Sequence, residues 1–280
     1  MVLRRALESI LSQQYPELEL IMVDAESTDE SREIIECYRS KFDVLIIEKD
    51  KGQADALNKG FAKATGEVCG WLCADDELAS GAFQHVAEVF SQQPTTDVVL
   101  GACERIYADG TRSITSPPES PWQRIGIQDV IEQPSTFWRA ALLRKCGALD
   151  VGYHLAFDWD LWCRMGRLGA SCTQTKQVLA RYYFSADNKT SKSGNLFARE
   201  AFRVIRRHGP FKGALGYVYW ILYTHFDLHG CYDSPPTCTP LRGRVFALLL
   251  LLLRACFGTR LIYMYNWHFA SLQQRGRQWW

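Results

Sequence analysis

The sequence predicts an α/β protein built on a mostly parallel sheet with helices on both faces. Two features of residue order predict it. Helix and strand patterns alternate at short intervals through the first hundred residues, and such alternation folds as parallel strands joined by helical crossovers. Acidic residues stand where two strand patterns end, at Asp24 and at Asp75-Asp76, and ligands of such sheets gather at the carboxyl ends of strands. Composition frames this. The 280 residues, 47% hydrophobic and 22% charged, suffice for one large α/β domain or a domain with an appendage, and exclude disorder as the main state.

The elements follow in order. Leu3, Leu7, Ile10 and Leu11 predict an amphipathic helix over 2–14, ended by Tyr15-Pro16-Glu17. Residues 18–23 read as a strand running into Asp24. Ser27-Thr28-Asp29-Glu30 has the form of a capping box, starting a helix that runs to about 41. Residues 44–47 are a strand, and 53–65 a helix with Gly66 as its C-cap. A strand over 68–73 leads to Asp75-Asp76, followed by a helix over 79–92 and a strand over 98–103. Beyond Ile106 the pattern loosens. Asp109-Gly110 predicts a hairpin turn, Pro117, Pro118 and Pro121 a loop, and 140–146 a helix. Asp158-Trp159-Asp160 opens another helix reaching Arg167, 185–195 is polar and loop-like, and the remainder is mostly helical.

The net charge of +1 is a cancellation. Residues 1–199 carry 22 Lys/Arg against 28 Asp/Glu, and residues 200–280 carry 10 against 3. An acidic body with a basic end suggests two jobs, and the expected organisation is a domain over 1–195 and a helical, basic region over 196–280. The ten cysteines lack the two-pair spacing of a zinc site, in pairs such as Cys69/Cys73 and Cys231/Cys238, and read as buried or idle thiols of a reducing cytoplasm. Met1-Val2-Leu3-Arg4-Arg5 runs straight into the first helix rather than reading as a signal peptide. The longest apolar run, 245–253, has nine residues, against the ~20 that span a bilayer.

Three acidic groups carry candidate chemistry. Two adjacent carboxylates at Asp75-Asp76 are costly to place together unless something positive joins them, and Mg²⁺ or Mn²⁺ prefers such oxygen ligands; a solvated turn before the next helix is the competing reading. Asp24 can accept a base N–H or a ribose hydroxyl, or simply favour a helix N-terminus. Asp158 and Asp160 at a helix start can hold a general base, or cap the helix.

The order of the motifs says more than any one of them: D-A-E-S-T-D-E-S, K-G-Q-A-D-A-L-N-K-G, G-W-L-C-A-D-D, E-Q-P-S-T-F-W-R, then F-D-W-D-L-W. The series resembles the inverting family 2 glycosyltransferases of the GT-A fold, of the bacterial exopolysaccharide and lipopolysaccharide type, over roughly residues 1–190. The resemblance implies that Asp24 reads the nucleotide base, with UDP favoured. It places Asp55 and Asn58 in the segment lining the nucleotide pocket, Asp75 near the ribose, and Asp76 at the metal position, where Mg²⁺ or Mn²⁺ would bridge the diphosphate. Asp158 matches the general base that takes the acceptor hydroxyl's proton. Asp160 is expected to orient the loop or the acceptor, and Gln133 and Trp138 belong to the acceptor side, where an aromatic suits a sugar's apolar face.

Three departures stand out. Ala56-Leu57-Asn58 replaces the Ala-Arg-Asn of many relatives, leaving Lys51 or Lys59 to supply positive charge near the diphosphate. Arg181-Tyr182-Tyr183-Phe184-Ser185 lacks the late histidine that many such enzymes use as a metal ligand, and His154 is a poor substitute. Relatives open on a central strand with a Thr/Ser-x-Asn-like loop, and this chain opens on a helix. A sheet lacking its first strand is therefore expected, with unpaired backbone groups and a gap in the core, from a misplaced start codon or a truncated gene.

The expected function is metal-assisted transfer of a sugar from a nucleotide-diphosphate sugar to a glycan or lipid-linked acceptor in cell-surface polysaccharide synthesis, by a hexosyltransferase-type enzyme. The alternatives are a non-catalytic remnant or partner subunit, and a nucleotide-diphosphate hydrolase. From Ser234 onward there are six Arg and no acidic residue. The aromatic stretch 213–226, the apolar run 245–253 and the terminal Gln278-Trp279-Trp280 fit helices lying on an anionic membrane, or helices packed on the catalytic domain with Arg as rim. The expected place is the cytoplasm, peripheral at the inner face of the plasma membrane. Nucleic acid is not an expected partner, because long aliphatic runs interleave the basic residues.

Overall fold

A computed structural model describes residues 2–184, 188–189 and 195–209, together with single helical positions between 241 and 255. The chain divides into two compact units, Met1–Trp122 with Val130–Asn188, and Gln123–Asp129 with Lys189–Trp280.

The first unit begins with α1 (Val2–Leu11), which buries Leu3, Ala6, Leu7 and Ile10, the single stripe expected of 3.6-residue periodicity. Leu3 and Leu7 pack on Ile34 and Ile35 of α2 (Ser31–Cys37). Between these helices lies β1 (Ile21–Asp24), which pairs in parallel with β2 (Val44–Ile47) and sets Asp24 opposite Ile47. α3 (Gln53–Phe61) lies close over β1: a Cβ at Gly60 would stand 3.2 Å from Val23 Cγ2.

The remaining elements of this unit are β3 (Val68–Cys69), β4 (Glu77–Leu78), α4 (Ala82–Gln92), β5 (Val98–Tyr107), β6 (Arg112–Thr115), α5 (Pro121–Arg124), a 3₁₀ turn (Gln133–Ser135), β7 (Thr136–Arg139), α6 (Ala140–Cys146), α7 (Phe157–Arg167) and β8 (Cys172–Phe184). Six of the strands form one sheet in the order β3-β7-β5-β8-β4, with β6 hydrogen-bonded to β5. β5 is central, and its first six residues are buried. α4 lays Val86 and Phe90 on this sheet beside Val99, Phe137 and Leu179.

The sheet is mixed, which corrects the mostly parallel expectation. β1–β2 and β5–β8 are parallel; β3–β7, β4–β8, β5–β6 and β5–β7 are antiparallel. Of the antiparallel pairs only β5–β6 is joined by a short hairpin connection; the others join strands distant in sequence. The Asp109-Gly110 turn makes the short connection: Gly110 takes φ +83° and Asp109 Oδ1 accepts the Thr111 N–H. At Gly101 the β5–β8 ladder skips, from Leu100↔Gln174 to Ala102↔Val178, and a Cβ there would lie 2.3 Å from Leu179 Cδ1. The bulge is possible because the residue has no side chain.

Some boundaries moved for identifiable reasons. The Asp24 carboxylate accepts the Ser27 N–H at 3.1 Å. This folds 25–29 into a loop, and α2 starts at Ser31 without a side-chain cap, so Ser27–Glu30 form no capping box. α3 ends at Phe61, and Gly66 is not its cap; Glu19 takes the N–H groups of Thr65 and Gly66 instead. The strand expected over 68–73 keeps ladder pairing only at Val68 and Cys69. β8 went unread in the sequence.

In the second unit, α8 (Asn195–His208) buries Ala201, Val204 and Ile205, and Ile125 and Ile127 are buried too. A Cβ at Gly126 would lie 2.9 Å from the His208 carbonyl oxygen. No helix of the described residues is long and apolar enough to cross a membrane. The aromatic stretch 213–226 and the terminal tryptophans lie outside the described residues. The described cysteines are free thiols.

Candidate active site

The segment between β3 and β4 carries the site. Cys73, Asp75 and Asp76 bring one donor atom each to within 4.8 Å of one another. Asp76 is 1% exposed, and its Oδ1 has no hydrogen-bond partner. Burial, and then the neighbouring Asp75, push its carboxyl from the ordinary 3.8 up to about 8, against the Tyr183 backbone N–H that favours the anion. Burial, followed by Asp76, Asp75 and Asp158, also pushes the Cys73 thiol far up. A buried carboxylate oxygen with no partner, beside a second carboxylate, suits a divalent cation. The group is fit to hold a metal ion, and its oxygens suit Mg²⁺ or Mn²⁺.

Arginines surround this pair, but each is bound to a glutamate. Arg181 bridges Glu77 at 3.3 Å and Glu104 at 3.0 Å. Arg105 pairs with Glu132, and Arg5 with Glu77. Arg5 also donates to the Asp75 carbonyl at 3.1 Å and lies over the Tyr183 ring at 3.7 Å, tying α1 to the site. Among the described residues no ion pair reaches the Asp75 or Asp76 carboxylates, and Asp75 Oδ2 accepts only the Asn188 amide, at 3.3 Å.

Asp158 sits in the first turn of α7. An aromatic cluster fixes that helix against the Cys73 segment: Trp71 stacks on Trp162 at 5.7 Å and 7°, and both meet Trp138 edge-on. Gln133 joins the two sides. Its Nε2 donates to the Trp71 carbonyl at 2.7 Å and its Oε1 accepts from Cys73 Sγ at 3.5 Å. The structure thus gathers Asp75, Asp76 and Gln133 around Cys73, with the charge of Asp158 acting on the same thiol.

The other expected residues take several roles. Asp24 ends β1, 6% exposed, and its Oδ2 accepts from Ser27 N and from Arg32 Nη1 at 3.2 Å. Asp55 Oδ2 accepts the Lys51 N–H at 3.0 Å. This closes the loop before α3, where Gly52 takes φ +123° and a Cβ would meet His154 Nδ1 at 3.5 Å. Lys59 pairs with Glu48 at 2.9 Å. Asn58 bonds both ways with the backbone of Leu149, at 2.9 and 2.8 Å, so it positions α3 instead of presenting its amide to a nucleotide.

Two acceptor-side expectations are corrected. Trp138 is 0% exposed at the centre of the aromatic cluster and offers no face to a sugar; its place on β7 beside the central strand turns it into the core. Asp160 is likewise 0% exposed and binds Arg164 Nε at 2.8 Å, while Arg164 Nη1 donates to the carbonyls of Cys146 and Gly147. It holds the end of α6 and cannot touch an acceptor. Sequence reasoning missed Cys73, Gln53, Glu132 and Arg5. Cys73, Gln53 and Glu132 each lie inside one of the motifs, Cys73 two residues before the aspartate pair; Arg5 lies in none.

This fold and this carboxylate cluster define a class, and comparison with known proteins gives the class its family. Residues 2–147 match glycosyl transferase family 2, and the chain belongs to that family. Its α/β architecture is that of the GT-A glycosyltransferases. An uncharacterized glycosyltransferase of Nostoc is 41% identical over 100 residues, 35% of this chain and 30% of that protein, so the chain spans well under two thirds of that relative's length. Among solved structures, S. aureus TarS in complex with UDP is similar with a TM-score of 0.57 at 19% identity, covering 99% of this chain and 88% of that one. The mannosyltransferase PcManGT from Pyrobaculum calidifontis, in complex with GDP-Man and Mn²⁺, gives a TM-score of 0.57 at 16% identity, covering 98% and 82%.

The raised Asp76 carboxyl sets a pH dependence. Between 3.8 and about 8 the folded chain holds a proton that the unfolded chain has lost, so this contribution to stability is whole below 3.8 and declines as pH rises through about 8. Thermal unfolding of the metal-free protein is expected to fall over that window. Asp76→Asn should flatten the slope, and saturating Mn²⁺ should reverse it.

Proposed function

We propose that the chain transfers a sugar from a nucleotide-diphosphate sugar, with UDP as the favoured nucleotide, to a hydroxyl of a glycan or lipid-linked acceptor, inverting the anomeric carbon. Cell-surface polysaccharide synthesis is the proposed setting. The observation that carries this reading is the cluster of Cys73, Asp75 and Asp76, whose donor atoms lie within 4.8 Å of one another, in a chain of this family. The UDP bound by TarS, and the GDP-Man and Mn²⁺ bound by PcManGT, support the same chemistry.

Asp24 accepts a base N–H with the acceptor capacity left beyond Ser27 and Arg32, since a carboxylate offers about four lone-pair sites. Asp55 holds the loop before α3 that lines the nucleotide, and Asp75 faces the ribose. Asp76, with Asp75, would hold a divalent cation, which would supply neutralisation of the leaving diphosphate. Asp158 accepts the proton of the acceptor hydroxyl as its oxygen bonds to the anomeric carbon and the bond to the diphosphate breaks. Gln133 holds the Cys73 segment in register with the acceptor side.

A second element of the proposal is membrane contact through the basic end. Leu241, Val245, Leu248 and Leu252 are helical, follow one another at spacings of four, three and four, and are 40–71% exposed, an apolar face suited to the interface of an anionic bilayer. Sedimentation of the full chain with phosphatidylglycerol vesicles is expected, with a marked loss for Leu248→Glu; equal sedimentation of the two would count against this contact.

The catalytic assignment is tested by Asp158→Asn. Turnover of UDP-sugar in the presence of an acceptor is expected to fall by ~10²–10⁴-fold, the usual worth of a general base, while UDP affinity stays unchanged. Full turnover in this variant would remove Asp158 from the reaction.

A further inference from the structure

The donor set differs from an all-oxygen site in one atom. The sulfur of Cys73 lies within 4.8 Å of both carboxylate donors, close enough for one ion to touch all three. The independent sign that a cation belongs there is Asp76, 1% exposed with Oδ1 unpartnered. One side chain prepares the sulfur as a ligand, and a second takes the S–H proton's hydrogen bond while the site is metal-free. Gln53 Nε2, from the first residue of α3, donates to Sγ at 3.2 Å. Gln133 Oε1 accepts from Sγ at 3.5 Å and is held by the bond from its own Nε2 to Trp71. An amide N–H aimed at sulfur is the kind of outer contact that orients a metal-bound thiolate and tunes its metal.

Resting on the cation site of the proposed function, we propose that Cys73 is a thiolate ligand of that ion and shifts the site's preference from Mg²⁺ toward Mn²⁺, Co²⁺ and Zn²⁺. On binding, the S–H bond breaks, its proton leaves to solvent, and an Sγ–metal bond forms without change of oxidation state. Thiolate is a soft ligand that Mg²⁺ accepts poorly, whereas affinity for N, O and S donors rises from Mn²⁺ through Co²⁺. Gln53 stabilises the negative sulfur, and Asp75 and Asp76 supply the harder donors.

The test is a titration of the full chain with Co²⁺ in the presence of UDP, read by the thiolate-to-cobalt charge-transfer absorption in the near ultraviolet. The band is expected in the parent chain and in Cys103→Ser. It should vanish in Cys73→Ser with Co²⁺ still bound, and vanish together with binding in Asp76→Asn. The ratio of Co²⁺ to Mg²⁺ affinity should fall at least about tenfold in Cys73→Ser, the lower end of what even an outer-shell partner is worth. A measurement on the parent chain guards against misfolding of the variant: X-ray absorption at the cobalt edge should show one sulfur among the ligands of bound Co²⁺. Metal binding without the band, a band that survives Cys73→Ser, or a cobalt shell without sulfur would overturn the ligand assignment and leave the cation site standing. Absence of any divalent-cation binding would overturn both.

Discussion

Asp76 keeps a carboxylate oxygen without a partner where solvent barely reaches, and much of the surrounding structure is arranged around that charge. Unpaired buried anions cost several kcal/mol or take up a proton, and the raised carboxyl of Asp76 is the second outcome. The nearby arginines could have relieved it. They do so only slightly, through the charge of Arg5, because Arg5, Arg105 and Arg181 are each committed to Glu77, Glu104 or Glu132. Glu77, Glu104 and Glu132 take up these arginines and Arg112 as well, and among the described residues no ion pair reaches the two aspartates. A divalent cation is the simplest complement to that pair.

The same pairs tie distant parts of the first unit together. Arg5 carries α1 to the carbonyl of Asp75, and Arg181 anchors β8 to β4 and β5 through glutamates on both. Aromatic packing does the corresponding work on the other side. Trp71, Trp138 and Trp162 lock the segment before Cys73 to β7 and α7, and this fixes Asp158 relative to the aspartate pair. Charge holds one wall of the site and ring contacts hold the other, so each wall fails by a different kind of substitution.

Much of this was legible in the sequence where a local pattern decides the outcome. α6 was expected at 140–146 and is found there, and β2, a short unbroken apolar run, at 44–47 likewise. Asp24 and the Asp75-Asp76 pair were found by standing after strands. What escaped depends on contacts between distant residues. β8 was hidden because its Thr-Gln-Thr-Lys-Gln start is polar and only its pairing with β5 makes it a strand. Trp138 and Asp160 looked like acceptor contacts because sequence gives residue type and not depth, and both lie at 0% exposure. Arg5 had no motif, and Glu132 stood in one without a role of its own, since their importance arises from partners 70 and 27 positions away.

The account turns on the two aspartates being left for a cation that a nucleotide diphosphate then shares. Paired calorimetric titrations measure this directly: Mn²⁺ into the protein with and without UDP, and UDP with and without Mn²⁺. Linkage requires the two effects to be equal. The account predicts that each ligand tightens the other by the same factor, and that Asp76→Asn removes the coupling. Equal UDP affinity with and without Mn²⁺ would contradict it.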